Sequence, residues 1–162
     1  MGEGIDSHFV TSRQSNEEKF IKGCLNTILK QSYNPIEIIL IDDGSKDHTL
    51  SIIQDFAKKN KNIRVLNQHH QGPGIARNLG EKISKGKILV FVDADMEFDK
   101  DYVKNLINPI LEGKVFGTIH TKEHILNNNN LWARFWGQRG VVDKDGKGVI
   151  YRAILKDDFF KH

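Results

Sequence analysis

Three apolar, β-branched runs constrain this chain more than anything else in it: IEIILI (Ile36 to Ile41), IRVL (Ile63 to Leu66) and ILVFV (Ile88 to Val92). The first and third are nearly continuous rather than alternating, the pattern of strands buried on both faces of a parallel sheet. About twenty residues separate each run from the next, room for one crossover helix. Those intervals carry helical stripes: Leu50, Ile53, Phe56 and Ala57 in one, Ile75, Leu79 and Ile83 in the other. The unit is βαβαβ, and the fold class is α/β with a mostly parallel central sheet.

The flanks extend the pattern. Upstream, Phe20, Cys24, Leu25, Ile28 and Leu29 form a helical stripe behind SNEE, a capping box with Ser15 as cap and Glu18 reaching back. Downstream, KDYVKNLINPIL predicts a helix with Tyr102, Val103, Leu106 and Ile110 on one face and Pro109 limiting its end. KVFGTIH and VIYRAIL read as strands, DKDGKG as a turn and KDDFFKH as a short terminal helix.

A chain of 162 residues supports one core. It has no apolar run near the roughly 20 residues of a membrane span, and no basic-then-apolar start typical of a signal peptide. Its single cysteine, Cys24, excludes an internal disulfide framework and fits a reducing, cytoplasmic setting as a small core residue. The net charge of +3 comes from lysines interleaved with acids, not from a basic stripe, so nucleic acid is not an expected partner.

The chemistry concentrates where strands end. ILIDDGS places Asp42 and Asp43, and VFVDADM places Asp93 and Asp95, at the carboxyl edge, where open α/β sheets bind ligands. Four unpaired carboxylates would repel one another, so something positive belongs there. A one-residue spacing suits a hard divalent cation, Mg²⁺ or Mn²⁺, with open positions for phosphate. For Asp47 and Asp99 helix capping or simple solvation is the better reading. HHQGPGIARNLG adds a Gly72-Pro73-Gly74 helix start whose amides can face an anion, with Arg77 and Asn78 following.

Taken in order, NEEKFIKGCLNTILKQSY, EIILIDDGSKDHT, HQGPGIARNLGEKISKGKILVFVDADM and YRAILKDDFFKH resemble the family 2 glycosyltransferases over Asn16 to His162. The resemblance implies the nucleotide-diphosphosugar transferase (GT-A, Rossmann-like) fold and inverting, metal-dependent transfer from a UDP- or GDP-linked sugar to a glycan, lipid-linked or protein acceptor. It implies nucleoside contacts by Asp42 and Asp43, and a nucleotide pocket completed by Gly74, Arg77 and Asn78. It assigns the ribose and the metal–diphosphate to Asp93 and Asp95, with the metal on both carboxylates. Hexosyl transfer in polysaccharide biosynthesis is the expected setting.

Two departures accompany it. Family members open with a strand ending in Pro-x-Tyr-Asn; here residues 1–15 form an atypical leader, appended or rearranged, that is too poor in apolar residues for a central strand. The expected sheet is therefore incomplete beside EIILI, patched poorly by HFVTS or completed by a second chain in a homodimer. The catalytic base of the family follows the YRAILKDDFFKH segment, so residues 16–162 are expected to form a donor-binding domain that is weak or inactive alone, with its base beyond His162. Asp157 and Asp158 are read as structural.

Rival readings are weaker. HTKEH (His120 to His124) matches a zinc-protease pattern in strand-like surroundings. His69 and His70 read as loop residues near the pocket, and His48 as a helix-start residue. A phospho-receiver module would begin at its acid-pair strand, and a nucleotidyltransferase would carry a basic Gly-rich loop after its first strand. LWARFWGQR could be an amphipathic helix facing the core or a membrane surface at the inner face.

Overall fold

The computed structural model describes residues 7–13, 17–119 and 151–160. Its elements are β1 (Ser7–Arg13), α1 (Ile21–Ile28), β2 (Ile36–Asp43), α2 (Thr49–Lys59), β3 (Ile63–Gln68), α3 (Pro73–Ile83), β4 (Ile88–Val92), α4 (Tyr102–Leu111), β5 (Gly117–Thr118), β6 (Ala153–Leu155) and a 3₁₀ turn at Lys156–Asp158. The sheet order is β3-β2-β1-β4-β6-β5. Strands β1 to β4 are mutually parallel, and β6 runs antiparallel to both β4 and β5.

Handedness sets the layers. From β1 to β2 to β3 the chain moves one way across the sheet, so right-handed crossovers put α1 and α2 on one face; the return from β3 to β4 reverses direction and puts α3 on the other. The core divides accordingly. Cys24, Leu25 and Ile28 of α1, Ile53 of α2 and Val103, Leu106 and Ile107 of α4 pack on Ile36, Ile38, Leu40, Ile88, Val90 and Val92. Ala76, Leu79 and Ile83 of α3 pack with Ile39, Ile41, Leu89 and Phe91 on the opposite face. Alternate residues of β2 and β4 thus serve both layers, which is why those runs are continuously apolar.

The leader is where the sequence reading needs correcting. Ser7–Arg13 forms a central strand, paired with β2 from Ser7↔Ile36 to Arg13↔Asp42 and with β4 from Ser7↔Ile88 to Thr11↔Val92. Two apolar neighbours offer this segment a ladder on each side, and backbone pairing, not side-chain composition, admits it. The gap expected beside EIILI is filled, and with it goes the reason for a second chain to complete the sheet.

Smaller corrections follow. The capping box does not form as read: Ser15 lies outside the described residues, α1 starts at Ile21, and Glu18 Oε2 instead accepts from His48 N at 3.0 Å. Helix α4 runs through Pro109 to Leu111: the proline lies two residues from the helix end and costs one backbone bond, the one its N–H would have given to Asn105 O. KVFGTIH contributes only Gly117–Thr118; Gly117 lets Tyr151 approach so closely that an added Cβ would sit 2.6 Å from its Cδ1. VIYRAIL contributes Ala153–Leu155, and the terminal helix is the 3₁₀ turn. Cys24 is fully buried, as expected of a core residue.

One buried polar side chain joins two elements. The Gln31 side chain donates to Asp99 O at 2.8 Å and accepts from Val103 N at 3.0 Å, pinning the end of α1 to the start of α4. Leu25 has no exposed surface and sits in the larger core layer. Leu25→Ala should destabilise the fold by about 2–5 kcal/mol in urea unfolding, with the spread set by how far the cavity collapses.

Candidate functional site

The order reverses at β1: β2 and β3 lie on one side of it and β4 on the other. That is the switch point at which open α/β sheets bind ligands. The registers bring the acids to it. Thr11 pairs with both Leu40 and Val92, so Asp42 and Asp93 leave the sheet at nearly the same level on either side of β1.

The two acids closing β2 have different surroundings. Asp43, with no exposed surface, is committed to the loop after β3. Its Oδ1 accepts from Gln68 Nε2 at 2.7 Å and Gln71 N at 2.8 Å, and its Oδ2 accepts from Gly72 N at 2.9 Å. His70 Nδ1 lies 3.0 Å from Oδ2. Burial pushes this carboxyl up, but the Gln68, Gln71 and Gly72 donors and the His70 ring outweigh it and hold it below its ordinary value of 3.8. Asp42 is 1% exposed; its Oδ2 accepts from Ser45 N at 3.1 Å, while its Oδ1 has no hydrogen-bond partner among the described residues. An orphaned buried carboxylate oxygen is an unmet acceptor for an N–H or O–H.

Backbone conformation makes the Asp43 tether feasible. Gly44 has φ +79°, and a Cβ there would lie 3.1 Å from His70 N, so the loops after β2 and β3 touch at this glycine. Gly72, at φ +93°, turns the chain into α3, and Pro73 occupies the first turn. Gly74 and Asn78 are exposed near that end, and Arg77 is half-buried.

Across the switch point, Asp93 is held by arginines from two elements. Arg152 Nη1 donates to Asp93 Oδ2 at 2.8 Å, and Arg77 Nη2 of α3 lies 3.6 Å from Oδ1. Positive charge was expected at this edge, and for Asp93 the protein supplies it. Sequence reasoning did not single out Arg152, because its meaning depends on β6 pairing antiparallel beside β4. Asp95, two residues on, is half-buried. Burial, with the charges of Asp93, Asp95 and Glu97, raises the Cys24 thiol far above its ordinary range, which leaves it inert.

Among the remaining candidates, Asp47 does cap: its Oδ1 accepts from Thr49 N at 3.0 Å at the start of α2, and its Oδ2 accepts from Glu18 N at 3.2 Å. His48 pairs with Glu18, Nδ1 to Oε2 at 2.9 Å. His69 is exposed, and Asp157 and Asp158 lie in the turn after β6. HTKEH and LWARFWGQR lie outside the described residues. The strand order also separates this chain from receiver modules, which are built 2-1-3-4-5.

Asp43→Asn should destabilise the protein by roughly 1–3 kcal/mol at pH 7, because an amide nitrogen would face backbone donors. The depressed folded pKa means that the carboxylate's contribution is fully present above 3.8 and fades as pH falls through the lower folded value. Urea unfolding of both proteins from pH 7 to pH 3 should therefore show the gap narrowing only at the acidic end.

Comparison with known proteins agrees with this geometry. The model of "Glycosyl transferase family 2" matches residues 15–152. The uncharacterized glycosyltransferase YibD of Escherichia coli is 35% identical over 152 residues, covering 83% of this chain and 44% of that protein. EpsJ of Bacillus subtilis, also an uncharacterized glycosyltransferase, is 41% identical over 90 residues, covering 56% of this chain and 25% of that protein. The chain spans less than half the length of either relative. Staphylococcus aureus TarS superposes with TM-score 0.62 at 30% identity, over 73% of this chain and 21% of that one. The mannosyltransferase PcManGT from Pyrobaculum calidifontis, at TM-score 0.57 and 24% identity over 62% of this chain and 30% of that one, shares the fold. The architecture is GT-A, and the chain belongs to glycosyl transferase family 2.

Proposed function

We propose that this chain binds a UDP- or GDP-linked sugar at the carboxyl edge beside β1 and serves transfer of the sugar, with inversion, to a glycan, lipid-linked or protein acceptor. One observation carries the reading. A glycine-rich helix start, tethered by Asp43, and the Asp93–Asp95 pair flank a single switch point. The likeness to TarS supports it, since TarS 1-349 has been solved with UDP-GlcNAc at 33% identity and TM-score 0.54, over 62% of this chain and 29% of that one.

Each residue has a task in this reading. Asp42 Oδ1, buried and without a partner among the described residues, accepts an N–H from the nucleoside. Asp43 acts one step back, holding Gly72 so that the amides of the first turn of α3, at Gly74, point outward. Arg77, with Asn78 beside it, faces the diphosphate, and Asp93 the ribose. Among the described residues no three metal-binding side chains cluster. Asp95 with Asp93 therefore fits a Mg²⁺ or Mn²⁺ that takes its other ligands from diphosphate and water. Bound there, the cation would neutralise the diphosphate leaving group. The PcManGT structure holds GDP-Man and Mn²⁺, but at 24% identity the metal assignment here rests on the acids.

No helix among the described residues is long and apolar enough to cross a membrane. We place the chain in the cytoplasm, where nucleotide sugars are made.

Calorimetric titration with UDP, GDP and their sugars, with and without Mn²⁺, tests the reading. Metal-dependent binding should appear and weaken at least about tenfold, ~1.4 kcal/mol, in the Asp93→Ala/Asp95→Ala protein. A folded wild-type chain that binds none of these ligands would refute it.

A further inference from the structure

We propose that the Ser45 hydroxyl and Asp42 Oδ1 together read the imide edge of uracil, which makes the donor a uridine nucleotide rather than a guanosine one. The inference rests on the donor-site reading above and deepens it, naming the base and a residue, Ser45, to which that reading gives no task.

Three observations support it. Ser45 Oγ and Asp42 Oδ1 are both buried, and neither has a hydrogen-bond partner among the described residues. They belong to one turn, in which Ser45 N donates to Asp42 Oδ2 at 3.1 Å, and that turn follows β2 at the carboxyl edge, beside the reversal of strand order at β1. Asp43 cannot take the place of Asp42, because its two oxygens already accept from Gln68, Gln71 and Gly72. Buried polar atoms are ordinarily paired. An unpaired hydroxyl donor in the same turn as an unpaired carboxylate acceptor therefore describes a ligand that presents the reverse pattern, an N–H next to an acceptor.

Base chemistry then separates the two nucleotides. Uracil carries one N–H, at N3, with a carbonyl on either side, and unstacked bases are read by hydrogen bonds along this edge. N3–H donates to Asp42 Oδ1, and Ser45 Oγ donates to the neighbouring carbonyl, whichever side of N3 faces it. Guanine instead presents two N–H groups side by side, at N1 and at the 2-amino group, a pattern met by both oxygens of one carboxylate. Asp42 Oδ2 is turned into its own loop, towards Ser45 N, which leaves one oxygen to offer. A site whose polar groups are matched to one hydrogen-bond pattern rejects a ligand that leaves a donor or acceptor unpaired there.

Calorimetric titration of the full chain with UDP, GDP, 2-thio-UDP and 4-thio-UDP in the presence of Mn²⁺ tests this, beside urea unfolding of Ser45→Ala without ligand. UDP should bind at least about tenfold more tightly than GDP. Ser45→Ala should bind UDP about three- to tenfold more weakly than wild type. Its stability should be equal to wild type or higher, because the substitution removes a buried hydroxyl that had no partner. Sulfur accepts hydrogen bonds more weakly than oxygen, so one of the two thio analogues should bind wild type about three- to tenfold more weakly than UDP, yet bind Ser45→Ala as UDP does. A Ser45 that merely supports the fold would lower stability and treat the three uridine ligands alike. That result, or unchanged UDP affinity in Ser45→Ala, overturns the role of Ser45. GDP bound as tightly as UDP overturns the uridine assignment and leaves the donor site standing. Wild-type protein that binds none of the four ligands sinks the donor site and this inference with it.

Discussion

The buried carboxylate of Asp43 holds the carboxyl edge together. It ends β2, yet its hydrogen bonds go to the loop between β3 and α3, at Gln68, Gln71 and Gly72. A charge with no exposed surface is tolerable only when its oxygens are satisfied, and here two backbone amides and a side-chain amide meet that need. The same bonds fix where α3 begins. The turn at Gly72 and the placement of Arg77 therefore depend on an acid some thirty residues earlier in the chain.

Opposite it, the end of β4 is organised by charge balance. Asp93 emerges between α3 and the strand returning antiparallel along β4, and each contributes an arginine. These contacts differ in kind: one is a hydrogen-bonded pair in a sheltered position, the other a longer Coulombic contact from a helix that also carries the glycine turn.

Much of this was legible before any coordinates. Continuous apolar runs at Ile36–Ile41 and Ile88–Val92 required a sheet covered on both faces, and the helical stripes between them required crossovers. Acids directly after such runs could only lie at the carboxyl edge. Ser7–Arg13 has the composition of a loop and so gives no strand signal in the sequence. A strand flanked on both sides is admitted by its ladder, and ladder pairing leaves little trace in a single sequence. Three-residue spacing makes Glu18 look like a local cap because that spacing is visible in sequence; its partner His48, 30 residues away, is not.

The sequence by itself determined the fold class and which acids lie at the carboxyl edge of the sheet. It could do so because strand burial and crossover length are local, periodic properties. Only the tertiary structure decided how those acids differ: Asp43 spent on a loop, Asp42 left with an unmet oxygen, Asp93 bound to Arg152. Those distinctions arise from contacts between segments 25 to 59 residues apart. A carboxylate's role is set by which donors reach it, and that is a property of the folded chain.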